Sequence, residues 1–523
     1  MYVARRTKGD REKDKGDMSG YHLIVLAKNY NGYKNLIKLV SNSWVDGYYM
    51  RPRTDRADLE KYHEDLIVCS ACIAGEVPAK ILKGDIAGAR EACEWYHNLF
   101  GDDYYLELQR HKVPDDPSLL ANREAYELQQ KANKVLIEFA REYGIKLVCT
   151  NDCHFEDKET AEAHDHLLCI ATGKDLDDPN RMRYSKQEWF KTREEMNEVF
   201  ADVPEALSNT LEVLDKVEIY SIDHGPIMPF FPIPESFGTE EQLRQKVSEE
   251  DLYREFTTDE NGQNQLSPEE GQKVIDRLGG YDKIYRIKFE AEYLRHLAYE
   301  GAKKLYGDPL PENVDEHVNF ELHVMKTMGF PGYFLIVSDF IRAAREELGV
   351  MVGPGRGSAA GSVVAYCLGI TKIDPLKYDL LFERFLNPDR VNLPDIDTDF
   401  DDDGRGKVLR WVMDKYGHEN CAHIITYGSM ATKNSIKDVA RVEKLPLDKA
   451  NALCKAIPDR LPDGAKMNLT NAIKYTPELR EAEFSNDPRE SNTIKYAKML
   501  EGTIRGTGIH ACGFIICRDP ISN

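Results

Sequence analysis

Pro394-Asp395-Ile396-Asp397-Thr398-Asp399-Phe400 is the stretch on which the reading of this 523-residue chain turns. Taken with a period of two, Ile396, Thr398 and Phe400 share one face of an extended segment, and Asp395, Asp397 and Asp399 share the other. Aspartate is a poor strand former, and three on one face repel one another unless something positive sits among them. Carboxylates two residues apart on a strand are separated by roughly 7 Å at Cα, from where both can lean onto a shared pair of hard cations. Mg²⁺ is such a cation, typically held by one or two carboxylates together with substrate phosphates. The stretch therefore predicts a short strand at a two-metal phosphoryl- or nucleotidyl-transfer site. Two other readings stand beside it. The run Asp401-Asp402-Asp403-Gly404 suits a solvated loop, and Asp399, Asp401, Asp403 and Gly404 fit D-x-D-x-D-G, the opening of a calcium loop. The twelfth position of that loop is Arg410, where a bidentate Glu is required, and the eighth is Gly406, so calcium is disfavoured.

Working outward, Val350-Met351-Val352 reads as a short strand. It runs into Gly353-Pro354-Gly355-Arg356-Gly357-Ser358-Ala359-Ala360-Gly361-Ser362 and then an apolar helix through Leu368. A strand, a glycine-rich turn and a helix start together form an anion cradle: glycines let backbone N–H groups approach phosphate, Ser358 adds a hydroxyl donor and Arg356 a fork. It is not a Walker A loop, since no G-x-x-x-x-G-K-[ST] is present; the plain alternative is a tight turn between packed elements. Downstream, Lys407 to Tyr416 predicts a helix and Ala422 to Tyr427 a strand. Lys433, Lys437 and Arg441 recur every four residues on one helical face, either a basic stripe facing phosphates or a solvated face. Residues 445–500 read as a small helical domain, and Gly508 to Cys517 as a buried strand.

The first half alternates strands and helices. Strands are expected at Tyr2-Val3-Ala4, entering a charged turn from Arg5 to Asp17, at Tyr21 to Ala27, at Leu66 to Cys72 and at Lys146 to Thr150, with helices through Tyr33, Leu36, Ile37 and Val40 and near 78–98 and 121–143. That alternation suggests an α/β layer or barrel. Asp152-Cys153-His154 at a strand's C-terminal end is a plausible metal pair or a strand-end turn with an incidental histidine. Cys69-x-x-Cys72 has no second C-x-x-C, which argues against a structural zinc ribbon, and His22 alone suits a satisfied core histidine. Pro226, Pro229, Pro232 and Pro234 mark a domain exit. The polar stretch 236–285, with helical patches, reads as a linker or inserted surface element, and 286–328 is helical again.

Composition bounds the rest. Charged residues make up 30% and hydrophobic residues 41%, ordinary for a soluble globular protein. There is no run of 18 apolar residues that would cross a membrane and no apolar segment after Arg6 that would make a secretory signal. The 11 cysteines are scattered, which suits reduced thiols in a cytoplasmic protein. A net charge of −21 disfavours non-specific DNA binding by the chain as a whole and leaves room for a local basic groove.

Five stretches now stand in order: Gly329-Phe330-Pro331-Gly332-Tyr333-Phe334-Leu335-Ile336-Val337, the glycine run 353–362, Phe382-Glu383-Arg384-Phe385-Leu386-Asn387-Pro388, the acidic stretch 394–400, and 508–517. Together they resemble the bacterial replicative DNA polymerase III alpha family (C-family polymerases), from about residue 20 to the end apart from 236–285. The resemblance implies an α/β multidomain fold: a partial polymerase and histidinol-phosphatase (PHP) α/β barrel over 1–225, a linker and acidic insertion over 226–285, and a polymerase-beta-like palm over 286–428. A helical thumb is implied over 429–500 and a second palm segment over 501–523.

The same resemblance makes Asp397 and Asp399 the catalytic ligands of two Mg²⁺ ions. Arg356, Gly357 and Ser358 become the nucleotide-binding segment, with Gly361 and Ser362 as second candidates, and Lys433, Lys437 and Arg441 DNA contacts. His22, Cys72, Asp152 and His154 match PHP positions that ligate metals such as Zn²⁺ or Mn²⁺ where the site is complete. The implied partners are primer-template DNA, dNTPs, and a sliding clamp and other replisome subunits through segments missing here. The family's third palm aspartate and the H-x-H of the PHP domain find no counterpart, so the chain reads as a fragment truncated at both ends and inactive alone. Two rival functions remain: a PHP-type phosphoesterase or 3′–5′ exonuclease centred on Asp152 and His154, and a non-catalytic calcium-binding or scaffold module.

Overall fold

The computed structural model describes residues 1–11, 20–114, 123–223, 227–259, 262–263, 266–387 and 394–523. Pro226, Pro388, the end of the charged turn expected up to Asp17, and the first residues of the helix expected from 121 lie outside them. The chain divides into two compact units, the first comprising residues 1–224, 424–511 and 522–523, the second 225–423 and 512–521.

Nine strands are assigned among the described residues: β1 (Tyr2–Val3), β2 (Tyr21–His22), β3 (Ile24–Ala27), β4 (Arg53–Thr54), β5 (Leu66–Cys69), β6 (Tyr104–Gln109), β7 (Lys146–Thr150), β8 (Cys421–Ser429) and β9 (Ile504–Ile516). β1 to β7, in the first unit, make two sheets rather than one closed ring, a small one in the order β2-β1-β4 and a larger one in the order β3-β5-β6-β7, and β8 and β9 pair separately. β5, β6 and β7 are parallel and β3 is antiparallel to β5. Every residue of β5 and β6 is buried, the pattern of central parallel strands covered on both faces. The parallel connections require crossovers, supplied by helices Ile86–Phe100 and Glu124–Tyr143. Their apolar faces meet the sheet around Tyr96, Leu106, Leu108, Leu136 and Phe139.

A second core in this unit is made by two distant stretches. Ala163, Cys169 and Ile170, from helix Ala161–Thr172, pack with Ile436, Val439, Leu453, Leu469 and Ile494 from the helices between 432 and 500. The region expected to be a small helical domain is built of helices joined by short loops, and its core is completed by a helix drawn from the N-terminal half.

The second unit is built on three helices, Tyr281–Tyr306, Glu312–Thr327 and Pro331–Glu346, packed around Leu294, Ala298, Val318, Phe334 and Leu335. Gly301 permits the closest approach: a Cβ there would sit 2.0 Å from the Cys367 carbonyl oxygen. The insertion is more ordered than its composition suggests. Its helices Glu240–Lys246, Glu249–Thr257 and Pro268–Leu278 each carry a capping box, and Leu252, Phe256 and Ile275 close a small core with Ile284 and Tyr285.

Two strand expectations need correction. β9 is long and paired with β8, but most of it is exposed; two strands alone leave both faces of a ribbon in solvent, so an apolar run did not imply burial. Residues 350–352 and 394–400 do not form a ladder and meet in one antiparallel bridge, Val352 to Phe400.

Candidate active site

The acidic stretch keeps the alternation its sequence implies. Asp395, Asp397 and Asp399 are exposed, while Pro394 is buried and Ile396, Thr398 and Phe400 are half-buried. Ile396 rests against the helical core of the second unit, and Phe400 packs near Phe340 with ring centroids 6.3 Å apart. The backbone is fixed to the glycine loop by Gly353 N–H donating to the Asp399 carbonyl at 2.9 Å and Asp401 N–H donating to the Met351 carbonyl at 3.1 Å. A Cβ at Gly353 would lie 3.2 Å from the Asp399 Cβ, so a side chain there would crowd the Asp399 side chain.

Arg356 reaches back across the loop to both carboxylates. Its Nη2 is 3.6 Å from Asp397 Oδ2 and its Nε 3.5 Å from Asp399 Oδ1. One guanidinium thus lies between the two acids, and all three side chains are about half exposed. Gly357 and Ser358 are exposed at the start of the 3₁₀ turn Gly357–Gly361.

Gly361 and Ser362 point elsewhere. A Cβ at Gly361 would be 2.6 Å from the Leu381 carbonyl oxygen. Ser362 is fully buried, donates its hydroxyl to Glu321 Oε2 at 2.6 Å and accepts from Ala365 N–H at 3.0 Å. Glu321 also accepts from Val363 N–H at 2.8 Å and Val364 N–H at 2.9 Å. Burial pushes its carboxyl up to about 7, against the pull of these donors. Sequence reading missed Glu321, which sits in helix Glu312–Thr327 with nothing local to distinguish it. It also passed over Tyr333, inside a quoted motif: burial raises its phenol to about 12, Ile396 N–H bonds to it, and Asp395 and Asp397 lie nearby.

The calcium-loop alternative fails on local structure. Asp401 is the N-cap of helix Asp402–Tyr416. Its Oδ1 accepts from Gly404 N–H at 2.5 Å and its Oδ2 from Met351 N–H at 2.7 Å. Both carboxylate oxygens are engaged, and the residues that would continue a calcium loop are helical.

In the first unit the four candidate metal ligands come together as two pairs. Cys72 Sγ lies 3.4 Å from His22 Nδ1, and His154 Nε2 lies 3.6 Å from Asp152 Oδ1. The ion pair lowers the Asp152 carboxyl and raises the His154 imidazole, whereas burial lowers His22. His22, Cys72 and Asp152 line one cavity of about 190 Å³ with Tyr2 and Gln109. His154 turns toward Tyr184, at a centroid distance of 4.4 Å. Among the described residues no three His, Cys, Asp or Glu side chains converge closely enough to hold one ion. The donor chemistry still suits a borderline metal, and two buried acceptors nearby, Glu107 Oε2 and Gln109 Oε1, have no hydrogen-bond partner among the described residues.

The basic stripe is divided. Arg441 donates to the Cys169 carbonyl at 3.0 Å and the Lys174 carbonyl at 3.4 Å, at the C-terminal end of helix Ala161–Thr172, where a cation complements the helix dipole. Lys433 lies 3.3 Å from Asp459, and Lys437 is exposed.

Residues 292–523 match the family described as bacterial DNA polymerase III alpha NTPase domain, and residues 1–111 match the PHP domain. The chain is 40% identical over its whole length to the DNA polymerase III subunit alpha of Borreliella burgdorferi, of which it covers 40%. It is 40% identical to that of Thermus aquaticus, covering 42% of it, and 35% identical to that of Treponema pallidum, covering 39%. Residues 292–523 of this chain belong to the bacterial DNA polymerase III alpha family. It spans about two fifths of the length of those curated relatives. The polymerase match takes in Glu321, Tyr333, Arg356, Asp397 and Asp399, and the PHP match takes in His22 and Cys72. Asp152, His154 and the insertion lie outside both matched segments. Among the described residues no helix is long and apolar enough to cross a membrane.

Proposed function

We propose that the second unit is the catalytic face of a DNA-directed DNA polymerase that transfers a nucleotide to a primer 3′-hydroxyl, with primer-template DNA and dNTPs as substrates. The observation that carries this reading is the placement of Asp397 and Asp399 on one exposed face, spanned by the Arg356 guanidinium. Two exposed carboxylates with free oxygen donors fit hard divalent ions such as Mg²⁺. When bound, such ions lower the pKa of the attacking hydroxyl and neutralise the triphosphate and departing pyrophosphate.

The chain's own residues do the positioning. Gly353 N–H holds the Asp399 backbone, so the two carboxylates project from a fixed segment. Arg356 sits between them while no other cation does, and swings its planar fork to the triphosphate when substrate arrives. The exposed N–H groups at the start of the Gly357–Gly361 turn and the Ser358 hydroxyl complete the phosphate contacts. Glu321 and Ser362, bonded to each other beneath the loop, keep that turn in place and do not touch nucleotide. In the intact polymerase, Asp397→Asn should abolish primer extension while leaving primer-template binding within about twofold; near-normal extension would remove the assignment.

A second reading concerns the first unit alone. The cavity lined by His22, Cys72 and Asp152, with orphaned acceptors close by, supports a metal-dependent phosphoesterase or 3′–5′ exonuclease site there. Partners beyond substrate, a sliding clamp and other replisome subunits, and a cytoplasmic location belong to the same proposal and follow from the family.

A further inference from the structure

The first unit carries an exposed aromatic pair that no packing requirement explains. Trp44, in the last turn of helix Tyr30–Val45, is 57% exposed and Tyr48 is 50% exposed. Their rings stack with centroids 5.6 Å apart and planes 21° from parallel. Held against each other in solvent, they present an open π-face. The chain then turns sharply: Tyr49 N–H donates to the Arg51 carbonyl at 3.0 Å, with Met50 left-handed at φ 62°. Two arginines lie over neighbouring rings of the same unit. Arg11 lies over the Tyr49 ring at 5.6 Å and donates to the backbone carbonyls of Lys8, Asp10 and Asp46. Arg51 is exposed and lies over Tyr2 at 6.0 Å.

The local charge is opposite to that of the whole. Residues 1–54 hold eleven lysines and arginines against five aspartates and glutamates, in a chain of net charge −21. Arg51 also links the patch to the histidine cavity: Tyr2, under its guanidinium, meets His22 edge-to-face at 5.1 Å, and both rings line the cavity. Stacked aromatics with guanidinium groups close by, in a basic segment of an acidic protein, are what unpaired nucleic acid recognises, because every base has a π-face and every linkage an anion.

We propose that Trp44 and Tyr48, with Arg11 and Arg51, form a landing site for single-stranded polynucleotide, from which the strand runs over Tyr2 to the mouth of the His22–Cys72 cavity. This goes beyond the polymerase assignment and does not use the acidic pair of the second unit. A protein partner or a second copy of the chain is the competing occupant, and the flanking arginines favour the polyanion.

The test uses the full 523-residue chain and fluorescence anisotropy with labelled oligo(dT), oligo(U) and a blunt DNA duplex of equal length. The W44A/Y48A double variant should weaken binding of both single strands by roughly 10-fold or more, with little change for the duplex. Trp44→Phe should retain most of the affinity, and Arg51→Gln should lessen its salt dependence. The D397N/D399N pair should leave single-strand binding unchanged, which separates this site from the polymerase reading. A 4-thiothymidine oligonucleotide irradiated with the unaltered chain should crosslink within residues 44–51, a measurement independent of how the variants fold. Unchanged single-strand affinity in a folded W44A/Y48A variant, crosslinks confined to other segments, or a dimer in sedimentation that the double variant dissolves would each overturn the proposal.

Discussion

His166 Nε2 lies 2.6 Å from Glu443 Oε1, joining two helices 277 residues apart in sequence. Tyr496 covers the imidazole at a centroid distance of 4.1 Å, and both side chains are at least nine-tenths buried. The pair sits beside the core shared by helix Ala161–Thr172 and the helices after 432. A buried hydrogen bond is costly to break from one side, because the remaining polar group is left without its partner, and the loss is about 1–3 kcal/mol. His166→Ala should therefore lower the urea midpoint of the first unit strongly, whereas His166→Leu with Glu443→Met together should recover much of it. Equal midpoints for the parent and His166→Ala would refute the pairing.

Glu321 makes a pH prediction with a definite sign. Its carboxyl stands at about 7 in the folded chain, above the ordinary value of 4.5. The folded state therefore holds a proton that the unfolded state releases between these values, and stability falls as pH rises from about 4.5 to about 7. The contribution across that window is on the order of 3 kcal/mol. In Glu321→Gln, denaturant titrations should lose this slope, although absolute stability also falls because Gln has one acceptor oxygen for the donors Glu321 satisfies. A slope identical to the parent's would show that Glu321 is ionised throughout.

Asp401 is assigned a structural duty rather than a calcium-binding one. Asp401→Ala removes the N-cap of helix Asp402–Tyr416 and the acceptor of Met351 N–H. The expected cost is about 1–2 kcal/mol in a thermal or urea melt. Calcium at millimolar concentration should shift the melting temperature of neither protein; a calcium-dependent rise in the parent alone would restore the discarded reading.

Arg356 separates charge from geometry at the acidic pair. Arg356→Lys keeps the positive charge but loses the planar fork that spans both carboxylates. In the intact polymerase it should raise the KM for dNTP by roughly 10-fold, with a smaller change in kcat, as expected for a lost bidentate contact of about 1.5–3 kcal/mol. Tight binding of Mn²⁺ should be unaffected or improved, since the competing guanidinium is weakened. An unchanged KM would remove Arg356 from the nucleotide site.

Local pattern carried much of this molecule. The alternation at 394–400 and the apolar run of β5 rest on interactions within a few residues, and both appear in the structure as their spacing implies; the helix stripe through Tyr33, Leu36, Ile37 and Val40 does so only in part, since Val40 is exposed and Leu39 buried. Pattern failed where the decisive partner is distant. Glu321 resembles any helical glutamate until the chain brings the Ser362 hydroxyl and two N–H groups to it. Arg441 belongs to a basic stripe by spacing, yet its guanidinium serves carbonyls at the end of a helix some 270 residues earlier. The Gly508–Cys517 run looked buried because apolar content was taken for a core; with a single neighbouring strand, it had none.

The sequence by itself determined the resemblance to the family and the alternation that sets Asp397 and Asp399 on one exposed face, because residue type and short-range periodicity suffice for those. Tertiary structure alone decided which glycine-loop residues face solvent, that Arg356 spans Asp397 and Asp399, and that the histidine-side candidates meet as two pairs. Those outcomes depend on the separation of atoms remote in the chain, which close packing fixes and linear spacing does not encode.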